Sequence, residues 1–156
     1  MLKIDIPGYK TFRLEHLVLD YNGTLALDGE IIDGVKERLV RLSRDMQVHV
    51  LTADTFGHAR SRLKDVECQF HLIGKGDQAL AKAEYVKGIG PERVVSMGNG
   101  RIDRLMLEIS ALGIGLIQEE GGAVSTLISA DVICRDILDA LDLLLFPLRL
   151  MATLRS

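Results

Sequence analysis

This sequence of 156 residues has few aromatic residues and few cysteines, and its positive and negative charges nearly balance. It contains no Trp, and aromatic residues make up only 4% of it, too few for a platform on which bases of single-stranded nucleic acid could stack. The formal net charge is −3, so no basic excess indicates a nucleic-acid partner. Hydrophobic residues nevertheless reach 47%, which excludes an intrinsically disordered chain.

Cysteine pairs with metal-ligand spacing, a signal peptide and a membrane span are also missing. Cys68 and Cys134 lie far apart in the sequence, and we expect both to be buried thiols in a reducing cytosol. The charged N-terminal stretch, interrupted by Pro7-Gly8, is unlike a signal peptide. The longest wholly apolar run, Leu143 to Leu148, is far shorter than the roughly 20 residues of a membrane helix. We therefore expect a cytoplasmic protein without a membrane or nucleic-acid partner.

Short apolar runs alternate with longer amphipathic ones along the chain, which is typical of an α/β protein. The apolar runs predict strands at 14–19, 47–51, 69–73, 93–97, 114–118 and 131–134. The amphipathic runs predict helices at 35–45, 55–65, 78–87, 103–112, 124–129 and 136–145. Because the strands are rich in Val, Ile and Leu, we expect a mainly parallel sheet covered on both faces. The prediction is a three-layer α/β/α sandwich with a Rossmann-like core.

The length predicts one domain over residues 1–156, with a core at about 14–135 and a C-terminal helix and tail at 136–156. Asp28-Gly29 between apolar flanks predicts a small flap hairpin at residues 25–32. The segments from Asp20 to Thr52 and from Thr52 to Lys75 are too short to contain a cap domain. We expect the apolar C-terminal tail to pack on the core rather than on a membrane.

Polar side chains follow the predicted strands at the points where the strands end. Asp20 ends the first strand, Thr52 the second, Lys75 follows the third, and Asn99 and Asp103 follow the fourth. Each has a simpler explanation by itself, as a turn residue, a helix cap or a solvated loop charge. The carboxyl ends of parallel strands meet at one edge of a sheet, where ligands bind. Together the residues therefore predict phosphoryl transfer, with an Asp nucleophile, donors to phosphate and carboxylates that bind Mg²⁺.

A glycine pattern in the same region is a weaker signal for dinucleotide binding. Gly74-Lys75-Gly76 and Ala79 satisfy the spacing of the dinucleotide fingerprint between a predicted strand and a helix. That fingerprint also requires an acidic residue at the end of the next strand, where this sequence has Met97-Gly98. We do not expect a nicotinamide cofactor.

In this order the motifs resemble those of the haloacid dehalogenase (HAD) superfamily, whose first motif is DxDx[TV], and especially its soluble P-type-ATPase-like branch without a cap domain. The resemblance implies that Asp20 is the nucleophile of an Mg²⁺-dependent phosphohydrolase and forms an aspartyl-phosphate. It assigns catalytic positions to Asp20, Asn22, Thr52 and Lys75. It implies phosphate contacts from Asp20, Gly23, Thr52, Ala53 and Lys75, and metal ligands from Asp20, Asn22 (through its carbonyl), Asn99 and Asp103.

Three positions depart from the family pattern. Asn22 replaces the acid that protonates the leaving group, Asn99 replaces a metal-binding acid, and Ile102 replaces an Asn. These departures predict attenuated turnover and weaker Mg²⁺ binding. They leave open a second hypothesis, a catalytically weak or inactive HAD-fold domain that binds phosphate or a partner protein. On either hypothesis the expected partner is a phosphorylated molecule, and an open site suits a macromolecular substrate or closure by a second copy of the chain.

Overall fold

A six-stranded parallel sheet lies at the centre of the structure, a computed structural model that describes residues 1–53 and 58–156. In spatial order, and numbered along the chain, its strands are β10 (Val132–Cys134), β9 (Leu112–Leu116), β8 (Val94–Gly98), β3 (His16–Asp20), β6 (Gln47–Thr52) and β7 (Cys68–Leu72). All neighbouring strands are parallel. The strand that ends in Asp20 is therefore an inner strand.

Helices cover both faces of this sheet because successive buried apolar residues along a strand point to opposite faces. The helices are α1 (Val35–Leu42), α2 (His58–Arg62), α3 (Gln78–Ile89), α4 (Arg104–Ile109), α5 (Val124–Ile128), α6 (Ile137–Leu145) and α7 (Pro147–Leu154). On β3, Val18 belongs to an apolar cluster with Val86 of α3 and Met106 of α4. Leu17 and Leu19 belong to the opposite cluster, which includes residues of α1 and α6. The predicted α/β/α sandwich is confirmed.

The predicted flap and the packing of the C-terminal tail are also confirmed. Strands β4 (Ala26–Leu27) and β5 (Glu30–Ile31) pair antiparallel, and Asp28 and Gly29 between them both have positive φ, as a tight two-residue hairpin requires. Leu150 of α7 is wholly buried in the core. Across the two described ranges, no helix is long and apolar enough to cross a membrane.

Several predicted boundaries were wrong. The strand predicted at 14–19 is divided at Glu15 between β3 and β2 (Thr11–Leu14), which forms an unpredicted N-terminal hairpin with β1 (Leu2–Asp5). Helix α4 ends at Ile109 rather than at 112, because β9 already begins at Leu112 and includes Gly113. A Cβ atom there would lie 2.5 Å from the Leu107 carbonyl oxygen, so Gly113 permits close packing of the strand on α4. The first residues of the helix predicted at 55–65 lie outside the described ranges, and α2 ends at Arg62 rather than at 65.

A chain of aromatic hydrogen bonds links the sheet to α3. His49 of β6 is buried, its Nε2 lies 3.0 Å from His16 Nδ1, and its Nδ1 lies 2.8 Å from Tyr85 Oη. Burial, together with the nearby His16, lowers the pKa of His49 to about 4. The imidazole is therefore neutral in the folded protein at neutral pH.

We expect His49 to make the folded state less stable as the pH falls. Its folded pKa lies below the unfolded value of about 6.5, so its contribution is intact above pH 6.5 and is lost as the pH falls towards 4. Between pH 7 and pH 5 this amounts to about 2 kcal/mol. Urea unfolding of the wild type and His49→Gln at both pH values measures it. The other titrating groups are common to both proteins, so equal pH dependences would contradict the assignment.

Candidate active site at the carboxyl edge of the sheet

Three neighbouring strands deliver polar residues to one edge of the sheet. Asp20 is the last residue of β3 and Thr52 the last residue of β6, and the register pairs Asp20 with Leu51. On the other side of β3, Leu19 pairs with Met97 of β8, so Asn99 and Asp103 follow at the same level. Asp20, Thr52, Asn99 and Asp103 are all buried. The structure thus brings together four of the predicted site residues.

A buried lysine on α3 joins the two carboxylates. Lys82 Nζ lies 2.6 Å from Asp20 Oδ1 and 2.7 Å from Asp103 Oδ1, and the Lys82 side chain is 1% exposed. Although burial by itself lowers the pKa of Lys82, the charges of Asp20 and Asp103 outweigh it and raise that pKa. The ammonium therefore remains charged between two carboxylates. Without it, the Asp20 and Asp103 carboxylates would be buried together with no cation between them.

The structure does not bring Lys75, the lysine predicted at the site, to this cleft and places Lys82 there instead. Lys75 lies exposed in the stretch between β7 and α3 and does not line the cleft that contains Asp20. Lys82 is seven residues further on, where α3 turns its buried face towards the sheet. The sequence did contain a signal for it, because Lys82 shares the apolar stripe of the helix with Ala79 and Val86. A lysine in such a stripe is buried only when it has partners.

Asp103 is held by a tight turn after β8. A 3₁₀ helix over Arg101–Asp103 brings its side chain back, and Oδ2 accepts hydrogen bonds from the N–H groups of Asn99 (3.1 Å) and Gly100 (2.9 Å). Gly98 is required here, because a Cβ atom would lie 2.5 Å from Asp103 Cγ. Burial, together with the nearby Asp20 charge, raises the pKa of Asp103 despite the Lys82 ammonium.

The turn after Asp20 supplies a further polar contact that was not among the predicted site residues. Thr24 is wholly buried, and its Oγ1 donates to Asp20 Oδ2 (3.2 Å) and also lies 3.4 Å from Asn99 Oδ1. The residue belongs to the first motif, which could have indicated it. Gly23 has φ 77°, and its N–H donates to the Ala26 carbonyl at 2.8 Å. The predicted phosphate donor at Gly23 is thus occupied within the turn in this structure.

A cleft of about 160 Å³ opens over these groups. Its lining includes Asp20, Asn22, Ala53, Asn99 and Glu120. Asn22 and Ala53 are exposed at its mouth. A larger cleft of about 440 Å³ adjoins it at these two residues and extends between the flap and α2.

The donors in the smaller cleft fit a hard divalent cation. They are oxygens of carboxylates and of a side-chain amide, which are the ligands that Mg²⁺ prefers. Asp20, Asp103 and Asn99 could provide side-chain oxygens, and Asn22 a backbone carbonyl. The predicted set of metal-binding residues therefore lies in one place.

Sequence comparison identifies a relative from an archaeon. The chain is 39% identical over 85 residues to the uncharacterized protein MJ0073 of Methanocaldococcus jannaschii, which covers 52% of this chain and 91% of that protein. No protein-family model matches the sequence.

Comparison with solved structures identifies the fold. A 3-deoxy-D-manno-octulosonate 8-phosphate phosphatase from Moraxella catarrhalis, in complex with magnesium, phosphate and KDO, superposes with a TM-score of 0.67 at 16% identity, over 90% of this chain and 94% of that one. The cobalt-bound phosphatase of Haemophilus influenzae gives 0.71 at 14% identity, over 92% and 94%. A HAD superfamily (subfamily III A) hydrolase structure from Legionella pneumophila gives 0.67 at 17%, over 90% and 88%.

We expect Lys82→Met to destabilise the protein strongly, and Lys75→Met to have little effect. Removing the buried ammonium leaves Asp20 and Asp103 without their shared cation, which costs on the order of 3–5 kcal/mol in comparable buried pairs. Lys75 is exposed, and surface substitutions usually change stability by less than about 0.5 kcal/mol. Urea unfolding at pH 7.5 measures both. Equal losses in the two variants would show that Lys82 does not hold the carboxylates.

Proposed function

The chain belongs to one family with MJ0073 of Methanocaldococcus jannaschii and has the fold of the HAD superfamily, and on this premise we propose that it is an Mg²⁺-dependent phosphohydrolase that uses Asp20 as nucleophile. The observation that carries the proposal is the placement of Asp20 and Asp103 on either side of the Lys82 ammonium, at the carboxyl edge of the sheet. A buried carboxylate beside a fixed cation is suited to attack an anionic phosphorus centre.

The proposed reaction has two steps. An Asp20 carboxylate oxygen attacks phosphorus while the bond from phosphorus to the leaving oxygen breaks, which gives an aspartyl-phosphate and an alkoxide. The alkoxide takes a proton from solvent and leaves as the alcohol. Water then attacks this phosphorus, and the bond to Asp20 breaks to release inorganic phosphate and restore the carboxylate. Lys82 stabilises the negative charge around Asp20 in both steps. Thr52 and the Ala53 N–H, at the end of β6, are the proposed donors to the phosphate oxygens.

The proposed cation site consists of Asp20, Asn99, Asp103 and the Asn22 carbonyl. When bound there, Mg²⁺ would neutralise charge on the phosphate oxygens and orient the phosphate towards Asp20. Magnesium in the Moraxella catarrhalis phosphatase and cobalt in that of Haemophilus influenzae support a metal requirement. With an amide at position 99, we propose that the site binds Mg²⁺ weakly compared with an all-carboxylate site.

The position of Asn22 supports attenuated turnover. Its side chain is exposed in the lining of the cleft, two residues after the nucleophile, where it could reach a leaving group. A carboxamide cannot donate a proton to an alkoxide and then accept one from water, and this assistance contributes typically 10²–10⁴-fold. The same observation favours the second candidate function, a domain that binds phosphate without turning it over.

The open cleft affects the size of the substrate that the site could accept. Residues 21–46, all of them described, form the flap and α1 and add no cap above Asp20. We propose that the phosphate binds in the smaller cleft while the rest of the phosphoester extends past Asn22 towards the flap. This arrangement admits a macromolecular phosphoester, and a second copy of the chain could close it.

We expect a small acyl-phosphate donor with Mg²⁺ to add one phosphoryl group to the wild type and none to Asp20→Asn, because the amide is not a nucleophile. Intact mass measures the addition, and borohydride reduction followed by peptide mapping locates it at residue 20. Asp65→Asn, which changes an exposed acid elsewhere, should label like the wild type. Labelling that persists in Asp20→Asn would refute the nucleophile.

We expect Asn22→Asp to raise the rate of phosphate release up to about 10²-fold, with little change in KM, because it restores a proton donor beside the nucleophile. Steady-state kinetics on the best substrate from a phosphoester screen measures this. Asn22→Ala retains the backbone carbonyl but has no carboxylate, and should not gain. A flat response to Asn22→Asp would favour another proton donor or the non-catalytic function.

A further inference from the structure

A loop from a different part of the sheet is bonded to the turn that follows Asp20. This loop, residues 117–123, connects β9 to α5. Its Gln118 side chain is half-buried, and Nε2 donates to the carbonyl oxygens of Gly23 (2.9 Å) and Thr24 (3.0 Å). A glutamine amide has two N–H bonds to give, and both acceptors belong to buried residues. Gln118 therefore satisfies two successive carbonyls of this turn.

The backbone bonds of the turn close it on itself. The Tyr21 carbonyl accepts from the N–H groups of Leu25 (2.9 Å) and Ala26 (3.0 Å). These bonds determine the shape of the turn, whereas a contact from outside is needed to determine where the turn lies relative to the strand ends. The turn in turn acts on the nucleophile, because Thr24 Oγ1 donates to Asp20 Oδ2 at 3.2 Å. A displaced turn would withdraw that hydroxyl from the carboxylate.

The loop itself is fixed to two other elements. Gln118 Oε1 accepts from the N–H of Ile137, the first residue of α6, at 2.8 Å. The Gly121 carbonyl accepts from Asn99 Nδ2 at 2.9 Å, and the Gly121 N–H donates to the Gln118 carbonyl at 2.8 Å. The Gln118 amide is thus held from behind by a helix and from the side by Asn99. It can transmit the position of these elements to the turn.

We propose that Gln118 is a positioning residue that fixes the turn after Asp20 and thereby the orientation of the nucleophile, an inference that rests on the proposed function. Lys82 holds Asp20 Oδ1, and Thr24, on the turn, holds Oδ2. Attack on phosphorus requires a carboxylate oxygen in line with the leaving group, and small displacements of a reacting group are costly. Gln118 does not line the cleft, so it acts through the turn and not on the substrate.

Three variants of the full chain separate this role from a general effect on stability. Gln118→Met keeps the length of the side chain but removes all three hydrogen bonds. Gln118→Glu keeps an acceptor for the Ile137 N–H but has no donor for the two carbonyls of the turn. Asp131→Ala is the control, because it removes one side-chain bond to the backbone, to the Gly113 N–H at the start of β9, and leaves the loop and the turn intact.

Two measurements follow the turn and the nucleophile. Hydrogen exchange by NMR reports the protection of the Gly23 and Ala26 amides, and labelling by acetyl phosphate with Mg²⁺ reports the reactivity of Asp20. We expect both Gln118 variants to speed exchange of these amides about 10-fold or more. The maximum labelling rate should fall about 10-fold or more, while the half-saturating acetyl phosphate concentration changes less than about twofold. Asp131→Ala should leave all three quantities within about twofold.

The outcomes distinguish this inference from the proposed function. Unchanged exchange in the Gln118 variants, or faster exchange in Gln118→Met alone, would overturn the inference, since the second result would assign the effect to α6. Faster exchange with an unchanged labelling rate would also overturn it, because the turn would then not orient Asp20. A wild type that does not label at Asp20 would reject the phosphohydrolase, while faster exchange in both Gln118 variants would still support the fixing of the turn by Gln118.

Discussion

The ion pairs of Lys82 connect the fold to the site. A buried ammonium is costly unless its charge is compensated, and here its hydrogen bonds to Asp20 and Asp103 provide the compensation. Asp20 ends an inner strand and Asp103 follows the neighbouring one, so Lys82 can reach both only from a helix packed across these strands. The orientation of α3 therefore fixes the distance between the two carboxylates, and the carboxylates in turn keep the lysine charged.

The second constraint is the need for glycine at two positions beside the site. At Gly98, the space that a Cβ would occupy is filled by the Asp103 carboxylate, and at Gly23 by Glu120 and the Asn99 amide. Both glycines lie next to a strand end, where the chain leaves the sheet. The polar groups can approach one another because the backbone beneath them leaves room, and any larger residue would displace a charged group from the cleft.

The sequence predicted the sheet and its polar edge because both depend on local patterns. Parallel strands carry nearly continuous apolar runs, and a residue that ends such a strand reaches the edge whatever follows it. Lys75 was predicted as a site residue for the same reason, because it closely follows a predicted strand. The lysine at the site is instead selected by the rotation of α3, which brings Lys82 inward on the stripe of Ala79 and Val86. The sequence indicates Thr24 and Glu120 less clearly, because the positions of these residues beside the cleft depend on the conformations of loops.

A predicted helix boundary was wrong where a glycine could either end a helix or permit close packing. Glycine commonly ends a helix, but Gly113 instead packs closely against the Leu107 carbonyl. This contact exists only in the tertiary structure. The N-terminal hairpin was missed because β1 and β2 are four residues each. Segments this short do not establish an alternating pattern by themselves, and their buried residues, such as Ile4 and Phe12, become apolar contacts only after the core has assembled.

The cost of an amide at position 22 depends on the leaving group in the proposed reaction. An alkoxide is a strong base, and its departure is slow when no acid protonates it, so Asn22 would penalise ordinary phosphomonoesters most. A carboxylate leaving group, as in an acyl phosphate, is weakly basic and departs without a proton. The groups that neutralise the charge of the phosphate, foremost Lys82, act equally on both kinds of substrate. In the proposed reaction, an intact charge arrangement with a missing acid would therefore favour substrates with acidic leaving groups over alkyl phosphates.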